Sequence, residues 1–264
     1  MKGFLCRVGI DSTKESGKWN APVGVHVGPT SDEPGREFVY VPKSEVQEIR
    51  PEFQHDYSYS KLVDEVLLKF AENHRKDLYD DLKFPKGLES KNMHLDPDFN
   101  HLTYGDKTCK DGKNIECGKQ ISKMQKGDIL AFYSGLKSID PNEHDLVYAL
   151  IGLYVLKEDP SWAKKVPESR RRENAHTRRE NIIETDVVVW AEEGVSGRLK
   201  RCIPIGEKRN GQYRVLRGLL EEWGDLGVKD GWIQRRAHLP QMRNPEKFYS
   251  WFKAQGVSLE KSNY

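Results

Sequence analysis

Two apolar runs, GDILAFYSGL at residues 127–136 and LVYALIGLYVL at residues 146–156, lie close together near the middle of the chain. A Gly-Asp pair, typical of a turn, precedes the first run, and the polar segment KSIDPNEHD at residues 137–145 joins the two. Short, continuously apolar runs bounded by turn residues are typical of strands that are covered on both faces. The sequence therefore predicts an antiparallel hairpin at the centre of a β-sheet.

Further strands and helices are predicted on both sides of this hairpin. GFLCRVGID at residues 3–11 alternates apolar residues and ends at Asp11, and strand candidates follow at residues 21–28, 36–42, 185–193 and 199–206. Helical spacing of apolar residues appears in residues 58–74, 213–227 and 244–256. Strands and helices do not alternate regularly. We therefore predict one α+β domain over residues 1–264, with a mixed or largely antiparallel central sheet and flanking helices.

Composition narrows the class of protein. The 264 residues are 32% charged and 36% hydrophobic, with a net charge of +2, and the mean hydropathy is −0.77. Apolar clusters and aromatic residues recur along the chain, unlike in a disordered polypeptide. No run of about 18 apolar residues and no secretory leader is evident, and four cysteines are too few for a disulfide framework. These features predict a cytoplasmic protein with reduced thiols and no membrane association.

Basic residues are concentrated in the segment 160–217. Residues 198–217 carry seven bases and one acid, a net charge of +6, whereas residues 44–81 carry five bases and ten acids, a net charge of −5. If SRRRENAHTRRE at residues 169–180 is helical, its arginines form a stripe suited to phosphate contacts. The predicted nucleic-acid-binding residues are Arg171, Arg172, Arg178, Arg179, Arg198, Lys200 and Arg201. An ordinary solvated surface with weak ion pairs is the alternative, and His176 is expected to be exposed.

The densest group of chemically reactive side chains is KNMHLDPDFNHLTYGDKTC at residues 91–109. Because Pro97 biases the residue before it to extended geometry, His94 and Asp96 are expected to project on a common side. They are candidates for a general base with its orienting carboxylate, or for ligands of a divalent metal. The alternative is that the aspartates here only cap turns. No established metal-binding motif matches the spacing, so the cofactor stays open.

Several motifs together resemble a known family. GID at residues 9–11, HLDPDF at 94–99, LTYGD at 102–106, GDILAFYSGL and YALIGLYVL are similar to the third of the nucleotide modification associated domain families, over about residues 3–240. This family is predicted to work with DNA base-modification systems of phages and bacteria. The resemblance implies catalytic roles for Asp11, His94, Asp96, Tyr104 and Asp106. It also implies DNA or a nucleotide as substrate, with other base-modification enzymes as further partners.

A weaker resemblance concerns the central hairpin. QKGDILAFYSGL at residues 125–136 with YALIGLYVL at residues 148–156 is similar to the strand pair of PUA-like readers of modified bases, such as the EVE and ASCH groups. The resemblance implies a PUA-like barrel element, in which Phe132, Tyr133 and Ser134 would line a pocket for an extruded base. The alternative is that these residues are core.

Two functions of different classes remain open from the sequence. The first is an enzyme, hydrolase or transferase, that uses a His/Asp site on a base, nucleotide or nucleic acid. The second is a non-catalytic reader of modified bases. A restriction-type nuclease is a weaker third possibility, because no convincing PD-(D/E)xK spacing is present.

Overall fold

A computed structural model describes residues 1–12, 19–25, 35–56, 58–74, 88, 91–110, 113–234 and 238–264. Within these ranges, no helix has the length and hydrophobicity that crossing a membrane requires.

A six-stranded mixed sheet forms the centre of the molecule. Its strands follow the order β1 (Gly3–Arg7), β8 (Ile129–Ser138), β9 (Val147–Val155), β12 (Gly197–Pro204) and β15 (Leu259–Glu260), and β2 (Pro22–Val23) also pairs with β8. Strands β1 and β2 run parallel to β8, whereas β8, β9, β12 and β15 pair antiparallel. The predicted central hairpin is β8 and β9, and it has neighbours on both sides.

Both faces of this hairpin are covered, which explains why its sequence is continuously apolar. On β8, Leu130 and Phe132 belong to one hydrophobic cluster, while Ala131 and Tyr133 belong to another. Since successive side chains of a strand point to opposite faces, the two clusters lie on the two sides of the sheet.

Smaller strand groups surround the main sheet. β10 (Ser161–Trp162), β11 (Asp186–Trp190) and β5 (Thr103–Lys107) form an antiparallel three-stranded sheet. Three antiparallel pairs complete the described strands: β3 (Lys43–Ser44) with β4 (Met93–His94), β6 (Cys109–Lys110) with β7 (Lys113–Asn114), and β13 (Gly206–Arg209) with β14 (Gln212–Val215). The described strands do not close into a barrel, so the PUA-like barrel element is not found among them.

The helices flank these sheets. They are α1 (Tyr59–Leu62), which continues through a π-helical turn at Val63–Leu67 into α2 (Leu68–His74), α3 (Glu116–Ile121), α4 (Arg217–Trp223) and α5 (Pro245–Ala254). Asn244 caps α5 by accepting the Lys247 N–H at 2.9 Å, and Phe248 and Phe252 of α5 are buried. The predicted α+β class, with a largely antiparallel sheet, is confirmed.

Residues 169–180 do not form the α-helix that a stripe of arginines on one face would require. A 3-10 helix covers Glu168–Glu173, and turns follow it up to β11. The backbone leaves the helical path at Asn174, which is extended, with φ −138° and ψ 147°. Arginines seven residues apart therefore do not lie on one helical face.

Gly152 of β9 fixes the loop that follows β4. A Cβ at this position would lie 2.5 Å from the ring of Phe99, so only glycine leaves room for that ring. Phe99 is fully buried and packs edge-on against Tyr154, with ring centroids 5.6 Å apart. The anchored ring holds the residues just before it, which include Asp96.

Candidate functional site

Two histidines and one aspartate converge beside β4. Nε2 of His94 lies 3.8 Å from Oδ2 of Asp96, and Nε2 of His176 lies 3.5 Å from the same oxygen. The two imidazole rings meet edge to face with centroids 5.0 Å apart. The predicted pair of His94 and Asp96 is thus joined by a third side chain from a distant part of the sequence.

Local hydrogen bonds position each of the three side chains. His94 lies on β4 and pairs with Lys43 of β3. Oδ1 of Asp96 accepts hydrogen bonds from the backbone N–H of Gly105 at 2.6 Å and from Nδ2 of Asn174 at 3.3 Å. The Asn174 side chain also accepts the backbone N–H of His176 at 2.9 Å, so it links the aspartate to the second histidine.

A buried carboxylate lies behind each imidazole. Oε2 of Glu45 is 2.5 Å from Nδ1 of His94, and Oδ2 of Asp186 is 2.5 Å from Nδ1 of His176. An ionised carboxylate only accepts hydrogen bonds, so each Nδ1 is the protonated donor. Both Nε2 atoms are therefore left to face Asp96.

Arg179 connects the two carboxylates. Its Nη1 lies 2.9 Å from Oδ2 of Asp186, and its Nη2 lies 3.3 Å from Oε1 of Glu45. All three side chains are almost completely buried. One guanidinium thus fixes the positions of the groups that in turn orient both histidines.

The surroundings shift the pKa values of these groups in different directions. Burial lowers the pKa of His94, although Glu45 opposes the shift. Burial also acts to lower the pKa of His176, but the nearby carboxylates of Asp186 and Asp96 outweigh it and the pKa is raised. Burial acts to raise the pKa of Glu45, but His94 and Arg179 hold it well below its usual value. The Glu45 carboxyl is therefore ionised at neutral pH.

The three central side chains line a cavity of about 220 Å³. Lys43, Asp106 and Lys107 also line it, and so do Glu45 and Arg179. Basic and acidic residues thus line the same cavity as the two histidines. Such a mixture can bind an anionic group and move protons next to it.

Of the five predicted catalytic residues, the structure brings His94, Asp96 and Asp106 together at this cavity. Tyr104 is buried, and its hydroxyl donates to Oδ2 of Asp106 at 3.3 Å. Asp11 lies elsewhere: its Oδ2 accepts from Arg7 at 2.9 Å and from the backbone N–H of Gly135 at 2.8 Å. It is not among the residues that line the cavity.

The residues predicted for a base pocket lie in the protein core. Phe132 and Tyr133 are 0% and 1% exposed, and Ser134 is buried as well. The Phe132 ring packs edge-on against Tyr154 at 4.7 Å between centroids, and the Tyr133 hydroxyl donates to the Ile233 carbonyl at 2.8 Å. Neither ring offers an open face to a base, and this burial is at odds with the predicted pocket.

The predicted basic stripe divides into buried and exposed residues. Arg178 and Arg179 are 1% and 2% exposed, Arg178 is paired with Asp98, and Arg198 is buried against Glu260 at 2.5 Å. Their guanidinium groups already bind carboxylates of the protein, so their contact with phosphate stays a prediction that this burial does not favour. Arg172 and Lys200 are exposed, and Arg171 and Arg201 are partly exposed.

His176 is buried, which corrects the expectation that it is exposed. Its carboxylate partners are Asp186, ten residues later, and Asp96, eighty residues earlier. No local spacing signals such a contact, since it depends on where β11 and the loop before it pack. Lys43, Glu45 and Asp186 were missed for the same reason.

Comparison with known proteins gives one match, which is to a family model. Neither the curated proteins nor the solved structures contain a match to this chain. The model of the family described as nucleotide modification associated domain 3 matches residues 2–244, nearly the whole chain, and the chain therefore belongs to that family of proteins associated with nucleotide modification.

Proposed function

We propose that the protein is an enzyme that acts on a nucleotide or nucleic acid, with the cavity beside His94, Asp96 and His176 as its active site. The reaction class we favour is hydrolysis or group transfer at a glycosidic or phosphoester bond. Both reactions need an activated oxygen nucleophile and groups that stabilise developing charge.

The observation that carries this proposal is that the three central side chains contact one another at longer distances than they contact the groups that orient them. Nε2 of His94 and of His176 lie 3.8 and 3.5 Å from Oδ2 of Asp96. Ordinary N–H···O hydrogen bonds measure about 2.7–3.2 Å, so these contacts are long. By contrast, Nδ1 of each histidine and Oδ1 of Asp96 form shorter hydrogen bonds. These measure 2.5–2.6 Å and involve Glu45, Asp186 and the Gly105 N–H. In a preorganised site, supporting hydrogen bonds of this kind fix the positions of the functional side chains.

The cationic groups at the cavity favour an anionic substrate. Lys43 and Lys107 both contribute to its wall. Lysine is a common phosphate ligand, and every nucleotide or nucleic acid carries phosphate. A cavity of about 220 Å³ accommodates only the reacting part of such a substrate, so the remainder would lie across the exterior. Arg172 and Lys200, both exposed, are candidates for contacts with a longer nucleic acid.

The alternative function, a reader of modified bases, has less support. It requires aromatic faces that open to an extruded base. Phe132 and Tyr133, the residues that the resemblance assigns to this task, are buried. A protein that only recognises modified bases also has no need for two histidines whose Nδ1 atoms are held by buried carboxylates.

The proposal is tested by activity. The protein is incubated with free nucleotides, plain DNA and DNA containing modified bases, with several divalent metals, and products are identified by mass spectrometry. Asp96→Asn and His94→Ala should abolish turnover while the far-ultraviolet circular dichroism remains that of the wild type. His144→Ala, at an exposed histidine, should keep full activity. No product from any substrate, or unchanged turnover in Asp96→Asn, would refute the proposal.

A further inference from the structure

We infer that Nε2 of His94, Nε2 of His176 and Oδ2 of Asp96 bind one divalent transition-metal ion. This inference deepens the proposed function, and its catalytic consequence rests on that function, whereas metal binding is measured without a substrate.

The three atoms already lie near the separations that one ion requires. One ligand atom from each of the three residues lies within 4.8 Å of the others, and the two Nε2 atoms are 3.8 and 3.5 Å from the shared Asp96 oxygen. Metal–ligand bonds of about 2.0–2.2 Å in a tetrahedral site place neighbouring ligand atoms about 3.3 Å apart. The two nitrogen–oxygen distances exceed this value by less than about 1 Å.

An independent observation is the arrangement of the atoms that would not bind the ion. Metal-binding histidines usually donate their other ring N–H to a carboxylate or carbonyl, which fixes the tautomer and aims the free nitrogen at the metal. Here Nδ1 of His94 is held by Glu45, and Nδ1 of His176 is held by Asp186, each at 2.5 Å. Such a pair of carboxylate–histidine contacts directed at one point is not needed for packing.

The two carboxylate oxygens of Asp96 also have different partners. Its Oδ1 accepts the Gly105 N–H at 2.6 Å and lies 3.3 Å from Nδ2 of Asn174, while Oδ2 faces the two imidazoles. One carboxylate oxygen is therefore anchored and the other is directed at the proposed metal. Each of the three ligands is thus oriented through its non-binding atom.

The charges of the buried groups also favour a cation. Asp96, Glu45 and Asp186 are buried carboxylates, and Arg179 is the buried guanidinium that contacts two of them. With neutral imidazoles, as metal binding requires, these four groups sum to −2. A divalent ion would balance this charge, and unbalanced charge is costly to bury.

The ligand types indicate which metals fit. Two imidazole nitrogens and one carboxylate suit Zn²⁺, Fe²⁺, Mn²⁺ or Co²⁺, whereas Mg²⁺ and Ca²⁺ prefer sites made of oxygen alone. Three protein ligands leave at least one position of the ion open. In the proposed enzyme, that position would hold a water molecule or a substrate oxygen at the cavity.

Metal binding is measured on EDTA-treated full-length protein. Zn²⁺, Mn²⁺ and Co²⁺ are added separately, and bound metal is quantified by equilibrium dialysis with mass spectrometry. We expect one ion per chain. The electronic spectrum of bound Co²⁺ should show nitrogen and oxygen coordination without the thiolate charge-transfer bands of a cysteine ligand.

Variants connect the bound ion to this site. Asp96→Asn and His176→Ala should weaken binding at least 100-fold. Asp186→Asn, which touches no metal, should weaken it by about 10- to 100-fold through the orientation of His176. His144→Ala and Cys109→Ser should bind as the wild type does. Asp96→Asn changes no side-chain size, so it keeps the test valid if His176→Ala fails to fold.

The outcomes separate this inference from the proposed function. No bound metal, or binding that is unchanged in both Asp96→Asn and His176→Ala, overturns the metal centre, even if the protein turns over nucleotides in EDTA. One ion per chain that is lost in these variants supports the metal centre, even if no nucleotide or DNA substrate reacts.

Discussion

Arg179 and Asp186 form an ion pair inside the protein, with 2.9 Å between Nη1 and Oδ2 and side chains that are 2% and 0% exposed. The same Asp186 oxygen lies 2.5 Å from Nδ1 of His176, and Nη2 of the same arginine lies 3.3 Å from Glu45. Arg179, which the sequence suggested for phosphate contact, instead pairs with the two carboxylates that orient the histidines of the candidate site.

Arg179→Ala should therefore destabilise the fold strongly. Removing one partner of a buried ion pair leaves the other charge unpaired and costs about 3–5 kcal/mol. The free energy of unfolding in urea measures this. Arg171→Ala is the matched control, because Arg171 is partly exposed and pairs with Glu168, itself 65% exposed. It should cost less than about 1 kcal/mol. Equal effects of the two variants would show that Arg179 is not structural.

Gly105→Ala should displace His176. A Cβ at this position would lie 2.5 Å from Cδ2 of the His176 ring and 3.0 Å from Oδ1 of Asn174. The imidazole must move or the strand must shift, and overpacking of this kind typically costs about 1–3 kcal/mol. Metal affinity and turnover should fall at least 10-fold while the protein remains folded.

Gly218→Ala provides the control for that variant. Gly218 lies on α4, and apart from the adjacent residues and the backbone of the helix itself, no atom of the described residues lies within 4 Å of a Cβ built there. Alanine in a helix is more favourable than glycine by about 0.5–1 kcal/mol, so this variant should be slightly more stable and bind metal normally. Unchanged metal binding in Gly105→Ala would contradict the expected displacement of the His176 ring.

Nucleic-acid binding should depend on the exposed bases and not on the buried ones. Neutralising both Arg172 and Lys200, which are exposed, should reduce the slope of log K against log salt by about two units for double-stranded DNA, since each phosphate contact releases counterions. Binding is measured by fluorescence anisotropy between 50 and 300 mM salt, roughly the range in which such slopes are resolved. An unchanged slope would remove these two residues from the interface.

The central hairpin was predictable from sequence because its two strands are adjacent in the chain and both of their faces are buried. His94 and Asp96 were identifiable because only one residue, Leu95, separates them and Pro97 restricts the local backbone. His176, Glu45 and Asp186 were not, because they meet the motif only after β3, β4, β5 and β11 have assembled. The arginines were expected to form one stripe because the segment was treated as a helix. The backbone leaves the helical path at Asn174, so they do not share one face.

The cysteines should differ sharply in reactivity. Cys202 is fully buried, and burial raises the pKa of its thiol to about 12. Because the thiolate is the reactive form, Cys202 should resist alkylation at pH 8 until the protein unfolds. Cys109 is partly exposed and should be labelled first. Peptide mass spectrometry after brief iodoacetamide treatment measures both, and early labelling of Cys202 would contradict its place in the core.

The stability of the protein should fall at alkaline pH, in part through Tyr148. Burial raises the pKa of this phenol to about 12, although Arg7 opposes the shift, whereas an unfolded tyrosine titrates near pH 10. The unfolded chain therefore releases this proton first. The stabilising contribution is complete below about pH 10 and is lost as the pH rises through about 12.

Comparison with Tyr148→Phe isolates this contribution from other groups that titrate in the same range. The difference in the free energy of unfolding between the wild type and Tyr148→Phe should shrink by about 1 kcal/mol from pH 9 to pH 11, because the phenylalanine has no proton to lose. Urea unfolding at four pH values across this range provides the measurement. A difference that stays constant would show that the Tyr148 hydroxyl ionises as readily in the folded protein as in the unfolded chain, and that the stack with Tyr213, 4.3 Å between ring centroids, does not shield it from water.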